Sequence, residues 1–216
     1  MGVSVVAFSL SEHCQGYLSS LVRTSIANGL EGKHGLCPEP DWRDFSAQDV
    51  QSLQKKQGSF VTLTLNGHLR GCIGSIVGYE PLYQNVWHMA HSAAFSDPRF
   101  PPVRASEWEQ CHAEISVLSE AVRCQDPDRI VIGTHGLILR YGGRSGVFLP
   151  QVPVEQGWNL RQYLDQLCLK AGVPVGSWQK DEAELYWYEA FVFPVLEESW
   201  LLPMDKPKPH AFHRRL

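Results

Sequence analysis

Apolar positions first recur at helical spacing. Leu18, Leu21 and Val22 share a face between a capping Ser11 and an Asn28-Gly29 stop, which predicts a helix over 11–28. Residues 30–45, rich in Gly, Pro and Asp, read as a loop. Ser46, with Asp49 at the third helical position, opens a second helix that runs to about Gln57. The period then switches to two. Phe60–Thr64 and His68–Ile73 flank Asn66-Gly67, a hairpin signature. Pro81 suits a first helical turn, residues 82–95 continue it, and Asp97-Pro98-Arg99-Phe100-Pro101-Pro102 must break it. Residues 112–118 alternate as a strand with Ala113, Ile115 and Val117 on one face.

A similar order follows. Leu137–Arg140 and Val147–Leu149 flank the turn-rich stretch 141–146. Asn159, with Gln162 at the third position, caps a helix that Gly172 ends. Residues 185–195, aromatic and β-branched, read as a strand. Hairpin, helix and strand thus occur twice. The pattern predicts an α+β fold of two lobes, with antiparallel or mixed sheets flanked by helices and a cleft between the lobes. Residues 1–202 are expected to form one domain of two sublobes, and the Pro-rich, basic stretch 203–216 a mobile tail.

Composition narrows the class. With 216 residues, 44% hydrophobic and 19% charged, the chain can bury a core and is not a disordered polymer. No apolar run approaches about 18 residues, so no membrane helix is expected. The net charge is −4; the stretch 203–216 carries +3, leaving −7 on residues 1–202. A body this acidic lacks the basic footprint of a dedicated DNA-binding domain, although a local basic cleft is compatible with it. The six cysteines form no C-x-x-C pair, and the N-terminus has no basic leader. Val6 also breaks the myristoylation pattern. A cytoplasmic protein with reduced thiols is expected.

The first hairpin carries the candidate chemistry. A two-residue turn would set Arg70 opposite Leu63, among aliphatic side chains, at a cost. A three-residue loop with Gly67 at a bulge separates polar from apolar instead. It puts His68, Arg70 and Cys72 on one face of one strand. A guanidinium beside a thiol stabilises the thiolate, so Cys72 could be a nucleophile primed by Arg70. Gly71 and Gly74 would let a ligand approach the backbone. The plainer reading makes Cys72 a small buried residue between two glycines.

Leu69-Arg70-Gly71-Cys72-Ile73-Gly74 resembles the LRGCIG core motif of the AMMECR domain family. Residues 58–63, Ala93-Ala94-Phe95 with 97–102, Ile115–Ser119, and Phe148–Val152 with Glu155, Trp158 and 170–172 resemble further family segments in the same order. The resemblance spans roughly residues 15–198 and implies a two-lobed α+β fold with a site in the cleft. It implies no established reaction. It also implies Memo-like and radical-SAM proteins as pathway partners, an analogy that fixes no substrate. The His88/His91 pair and the C-terminal tail are not features the resemblance explains.

Other residues carry paired readings. Asp97 and Arg99 form either an anion clamp or a pair that fixes the loop. His88 and His91 share a helical face, but no third ligand accompanies them, so no metal site is assigned. Glu155 is a general base or an ion-pair partner; His135 is an acid–base group or a turn residue. The helix dipole alone explains Lys170, and Trp178, Trp187 and Tyr188 suit a core better than a stacking platform. No phosphate loop, nucleophile elbow or dinucleotide fingerprint is present, and no cofactor is expected.

Two functions remain in view. An enzyme or catalytic accessory would use Cys72 and Arg70 on an anionic or modified substrate, with His68, His135 or Glu155 moving protons. Arg70, Gly71, Gly74, Asp97 and Arg99 would bind that substrate. A binding module would instead grip a partner protein or RNA, with Cys72 serving packing.

Overall fold

A computed structural model describes residues 9–33 and 35–196. The stretch 203–216 and the first residues of the chain therefore lie outside the described residues.

Local signals set most elements. The Ser11 side chain caps α1 (Glu12–Leu30), and the Ser46 side chain caps α2 (Ala47–Gln54), which is shorter than expected. The buried Asp49 carboxylate accepts from both serine hydroxyls, at 2.6 and 2.8 Å, and so ties the two helix starts together. The first hairpin is β1 (Ser59–Leu65) and β2 (His68–Ser75). It is followed by α3 (Leu82–Phe95), a four-residue α4 (Ala105–Trp108) and β3 (Cys111–Leu118). A two-residue β4 (Val122–Arg123) precedes the second hairpin, β5 (His135–Tyr141) and β6 (Arg144–Phe148). Then come a short α5 (Val152–Glu155), α6 (Leu160–Ala171) and an eleven-residue β7 (Glu184–Pro194). A reciprocal Asn159/Gln162 capping box opens α6, and left-handed Gly172, φ 71°, closes it.

The strand order β2-β1-β3-β7-β5-β6 is a palindrome of the two hairpin–helix–strand units. In each unit the third strand pairs with the first strand of the hairpin, β3 with β1 and β7 with β5. The third strands then meet: residues 190–194 of β7 pair with β3, while 184–189 pair with β5. All of these pairings are antiparallel. The α+β expectation holds, and the two halves share one curled sheet.

Alternation along β7 explains the layering. Leu185 and Phe193, on one face, belong to two helix-backed cores. Val22, Val61, Leu63, Val86 and Ile115 fill the first; Leu137, Leu139, Tyr163 and Leu167 fill the second. Tyr188, on the other face, packs with Leu118 and Ile138 where the sheet curls. Beyond that junction, among the described residues, no helix packs on the outward face of the first unit.

Candidate functional site

The hairpin register departs from both alternatives considered from sequence. Asn66 and Gly67 both have positive φ, 52° and 77°, which makes a two-residue turn with Leu65 opposite His68. The register then shifts between Leu63 and Thr64, so Leu63 faces Gly71 and Thr62 faces Cys72. Arg70 is the extra residue of this bulge. Bulging lets Arg70 and Gly71 both be buried in succession, and Cys72 returns to the helix-free face beside Thr62. The expected single face bearing His68, Arg70 and Cys72 is therefore absent. His68 shares a face with Leu65 and is exposed at the hairpin end.

The cause lies outside the hairpin. Arg70 donates from Nε and Nη2 to the two carboxylate oxygens of Glu107, at 3.0 and 3.2 Å. Glu107 also accepts the Arg104 N–H and so caps α4. Hydrogen bonding from Arg70 holds the Glu107 carboxyl below its ordinary range. A buried guanidinium needs such a partner, and pairing it removes the cost that had argued against the two-residue turn.

Asp97 and Arg99 meet Cys72 instead. Asp97, almost fully buried, accepts the Cys72 N–H at 2.9 Å, and Arg99 Nη2 donates to the Cys72 carbonyl at 3.0 Å. Arg99 also donates to Asp97 from Nε and Nη2, at 2.9 and 2.7 Å. Because β2 is an edge strand, the outward N–H and C=O of Cys72 would otherwise face solvent; the 97–102 loop closes them. These bonds, led by the one from Arg99, hold the Asp97 carboxyl well below the usual carboxylate range. The Phe100 ring centroid is 6.0 Å from the Arg70 guanidinium and 5.5 Å from that of Arg99.

Both glycines are required by the protein's own packing. A Cβ on Gly71 would overlap the Ala93 carbonyl of α3, and one on Gly74 would overlap the Phe60 ring. The Cys72 thiol, half-buried, lies 3.3 Å from the Thr62 hydroxyl.

The remaining expected residues lie elsewhere. His135 starts β5 on the face shared with Leu137, the face opposite to that of Cys72. Its Nδ1 accepts the Val131 N–H at 3.0 Å, and its ring stacks on Trp187, 4.7 Å between centroids. Burial pushes the imidazole pKa down; Glu189 opposes this and Arg129 adds to it. Glu155 is exposed on α5. His88 bonds Glu80 through Nδ1, and among the described residues no three His, Cys, Asp or Glu side chains gather as a metal group. Tyr188 is core, as expected, and Trp178 donates to Asp165.

Sequence reasoning missed Glu107 and the helix-free neighbours of Cys72. Glu107 sits in a four-residue helix without periodicity. The neighbours were within reach: placing Ala113, Ile115 and Val117 inward turns His112, Glu114 and Ser116 outward, and Thr62 pairs with Glu114.

Three comparisons bear on what this chain is similar to. The AMMECR1 family model matches residues 19–193. Protein MK0488 of Methanopyrus kandleri is 41% identical over 186 residues, covering 82% of this chain and 86% of that one. Protein NEQ441 of Nanoarchaeum equitans is 36% identical over 183 residues, covering 82% and 97%. The crystal structure of uncharacterized protein PH0010 from Pyrococcus horikoshii matches with a TM-score of 0.72 and 33% identity, covering 87% of this chain and 94% of that one. None of these names states an activity.

Proposed function

The chain belongs to the AMMECR1 family, and from that premise we propose that it works as a binding module for a partner protein, through the helix-free face around Cys72. The mutual engagement of the motif residues carries this reading. Asp97 and Arg99 hold each other and the Cys72 backbone, Arg70 holds Glu107, and none of His68, His135 or Glu155 is bonded to the Cys72 thiol. Activation by a general base needs that base in contact with the nucleophile, and none of these three is. The face offers recognition groups instead: Thr64, Ser116, exposed His112 and Glu114, and exposed Val192. The net charge of −4 argues for protein over RNA as the partner.

A Memo-like or radical-SAM protein is the partner class to test first. Calorimetric titration of a Memo-like protein should show binding that Glu114→Lys weakens about tenfold or more, about 1.4 kcal/mol. Cys72→Ser should bind nearly as tightly as the parent. Absence of binding, indifference to Glu114→Lys, or salt-sensitive RNA binding in its place would overturn the proposal. Loss of cellular function in Cys72→Ser with partner binding intact would favour the catalytic alternative.

A further inference from the structure

His135 holds the turn that leads into its own strand. The Val131 carbonyl accepts the N–H groups of Thr134 and His135, at 3.1 and 2.9 Å. The His135 ring reaches back and accepts the Val131 N–H on Nδ1, at 3.0 Å. Both backbone groups of Val131 are thus closed onto the residues that follow. The turn leans on α5: a Cβ on Gly133 would come within 3.2 Å of the Val154 side chain.

The ring bond has a protonation requirement. Only an unprotonated ring nitrogen accepts an N–H, and in an imidazolium both nitrogens are donors. Neutral His135, with its hydrogen on Nε2, closes the turn. A proton arriving at Nδ1 sets one N–H against another and leaves the Val131 N–H without its acceptor.

The surroundings set how readily that proton arrives. The Trp187 ring lies 4.7 Å from the His135 ring and 5.7 Å from the Arg129 guanidinium, centroid to centroid and guanidinium carbon to centroid. Glu189, paired with His135 across β7, favours the proton; burial and Arg129, from the short 127–129 turn, disfavour it. From α6, Tyr163 donates its hydroxyl to the His135 carbonyl at 3.2 Å.

We propose that the 131–135 turn is an acid-operated switch: neutral His135 keeps it closed beside α5, and a proton on Nδ1 frees the Val131 N–H and opens it. His135 lies on the face opposite to that of Cys72, so the switch goes beyond the partner-binding reading and stands independently of it.

Amide hydrogen exchange on the full chain, read by NMR from about pH 7.5 to about pH 5 and corrected for intrinsic exchange, tests the switch. Val131 protection should fall about tenfold or more, with a midpoint below about 6.5, while the Leu139 amide inside β5 keeps its protection. His135→Phe keeps a ring against Trp187 but no acceptor, and should leave the Val131 amide fast across the whole range. Arg129→Gln removes the neighbouring charge and should move the midpoint to higher pH. A Val131 amide fast already at the neutral end, protection that does not change with pH or survives in His135→Phe, loss at Val131 and Leu139 together, or a midpoint moved to lower pH by Arg129→Gln would each overturn the proposal.

Discussion

The two hairpin–helix–strand units solve one packing problem and part ways at its edge. In each, the second hairpin strand brings a glycine against an alanine near the end of the following helix: Gly71 against Ala93, and Gly146 against Ala171. In each, a polar bond joins that strand to the chain after the helix. In the second unit the strand reaches out, with exposed Arg144 donating to the Gly172 carbonyl beyond α6. In the first unit the loop reaches in, with Asp97 and Arg99 grasping the N–H and C=O of Cys72. The second arrangement is a surface tie. The first joins a buried carboxylate to a half-exposed guanidinium and closes them on an edge strand. Asp97 and Arg99, read from sequence as an anion clamp or a loop-fixing pair, close an edge strand in the fold as a latch, and among the described residues the second unit has no matching closure.

The comparison can be broken most sharply at Asp97. Asp97→Ala removes the charged acceptor of the Cys72 N–H and of the half-exposed Arg99 guanidinium, and should cost about 2 kcal/mol in urea unfolding. A loss below about 1 kcal/mol would reduce the latch to the rank of a surface tie.

Next in size are the glycines. Gly71→Ala and Gly146→Ala should each cost about 1–3 kcal/mol by forcing strand and helix apart. Similar losses would support equivalence of the units; a neutral result at either would break it.

Acid pH sharpens the contrast further. Asp97 has a folded-state pKa below its unfolded value of about 3.9, so its contribution is full above that pH and is lost as pH falls through the acid range. Asp97→Asn should flatten the acid limb of a stability-against-pH curve. His135 is also depressed in the fold, so stability should fall as pH drops below about 6.5, and His135→Gln should remove that slope.

The smallest effect belongs to the second unit's tie. Arg144→Ala should cost less than about 1 kcal/mol, because the side chain is exposed and water replaces its bond. A loss matching that of Asp97→Ala would erase the distinction.

Legibility followed range along the chain. Ser11, Ser46, Asn159 with Gln162, and Gly172 announce helix ends through bonds a few residues long, and each does so in the fold. The doubled element order was readable because each unit is built from neighbours in sequence. The joining of β3 to β7 was not, since nothing local specifies which strands meet across 70 or more residues. The bulge failed for the same reason: Glu107, 37 residues away, pulls Arg70 out of register. Cys72, Asp97 and Arg99 were each named from sequence, but side-chain chemistry alone does not reveal that Asp97 accepts the Cys72 backbone N–H, or that Arg99 donates to the Cys72 carbonyl while lying near its thiol.

Amide hydrogen exchange at Cys72 tests the latch most directly. An edge-strand N–H facing water exchanges fast, whereas one donated to a buried carboxylate is protected. The Cys72 amide should be slow in the parent protein, fast in Asp97→Ala, and nearly unchanged in Arg144→Ala, which cuts only the other unit's surface tie. Fast exchange in the parent, or equal acceleration by both variants, would contradict the account.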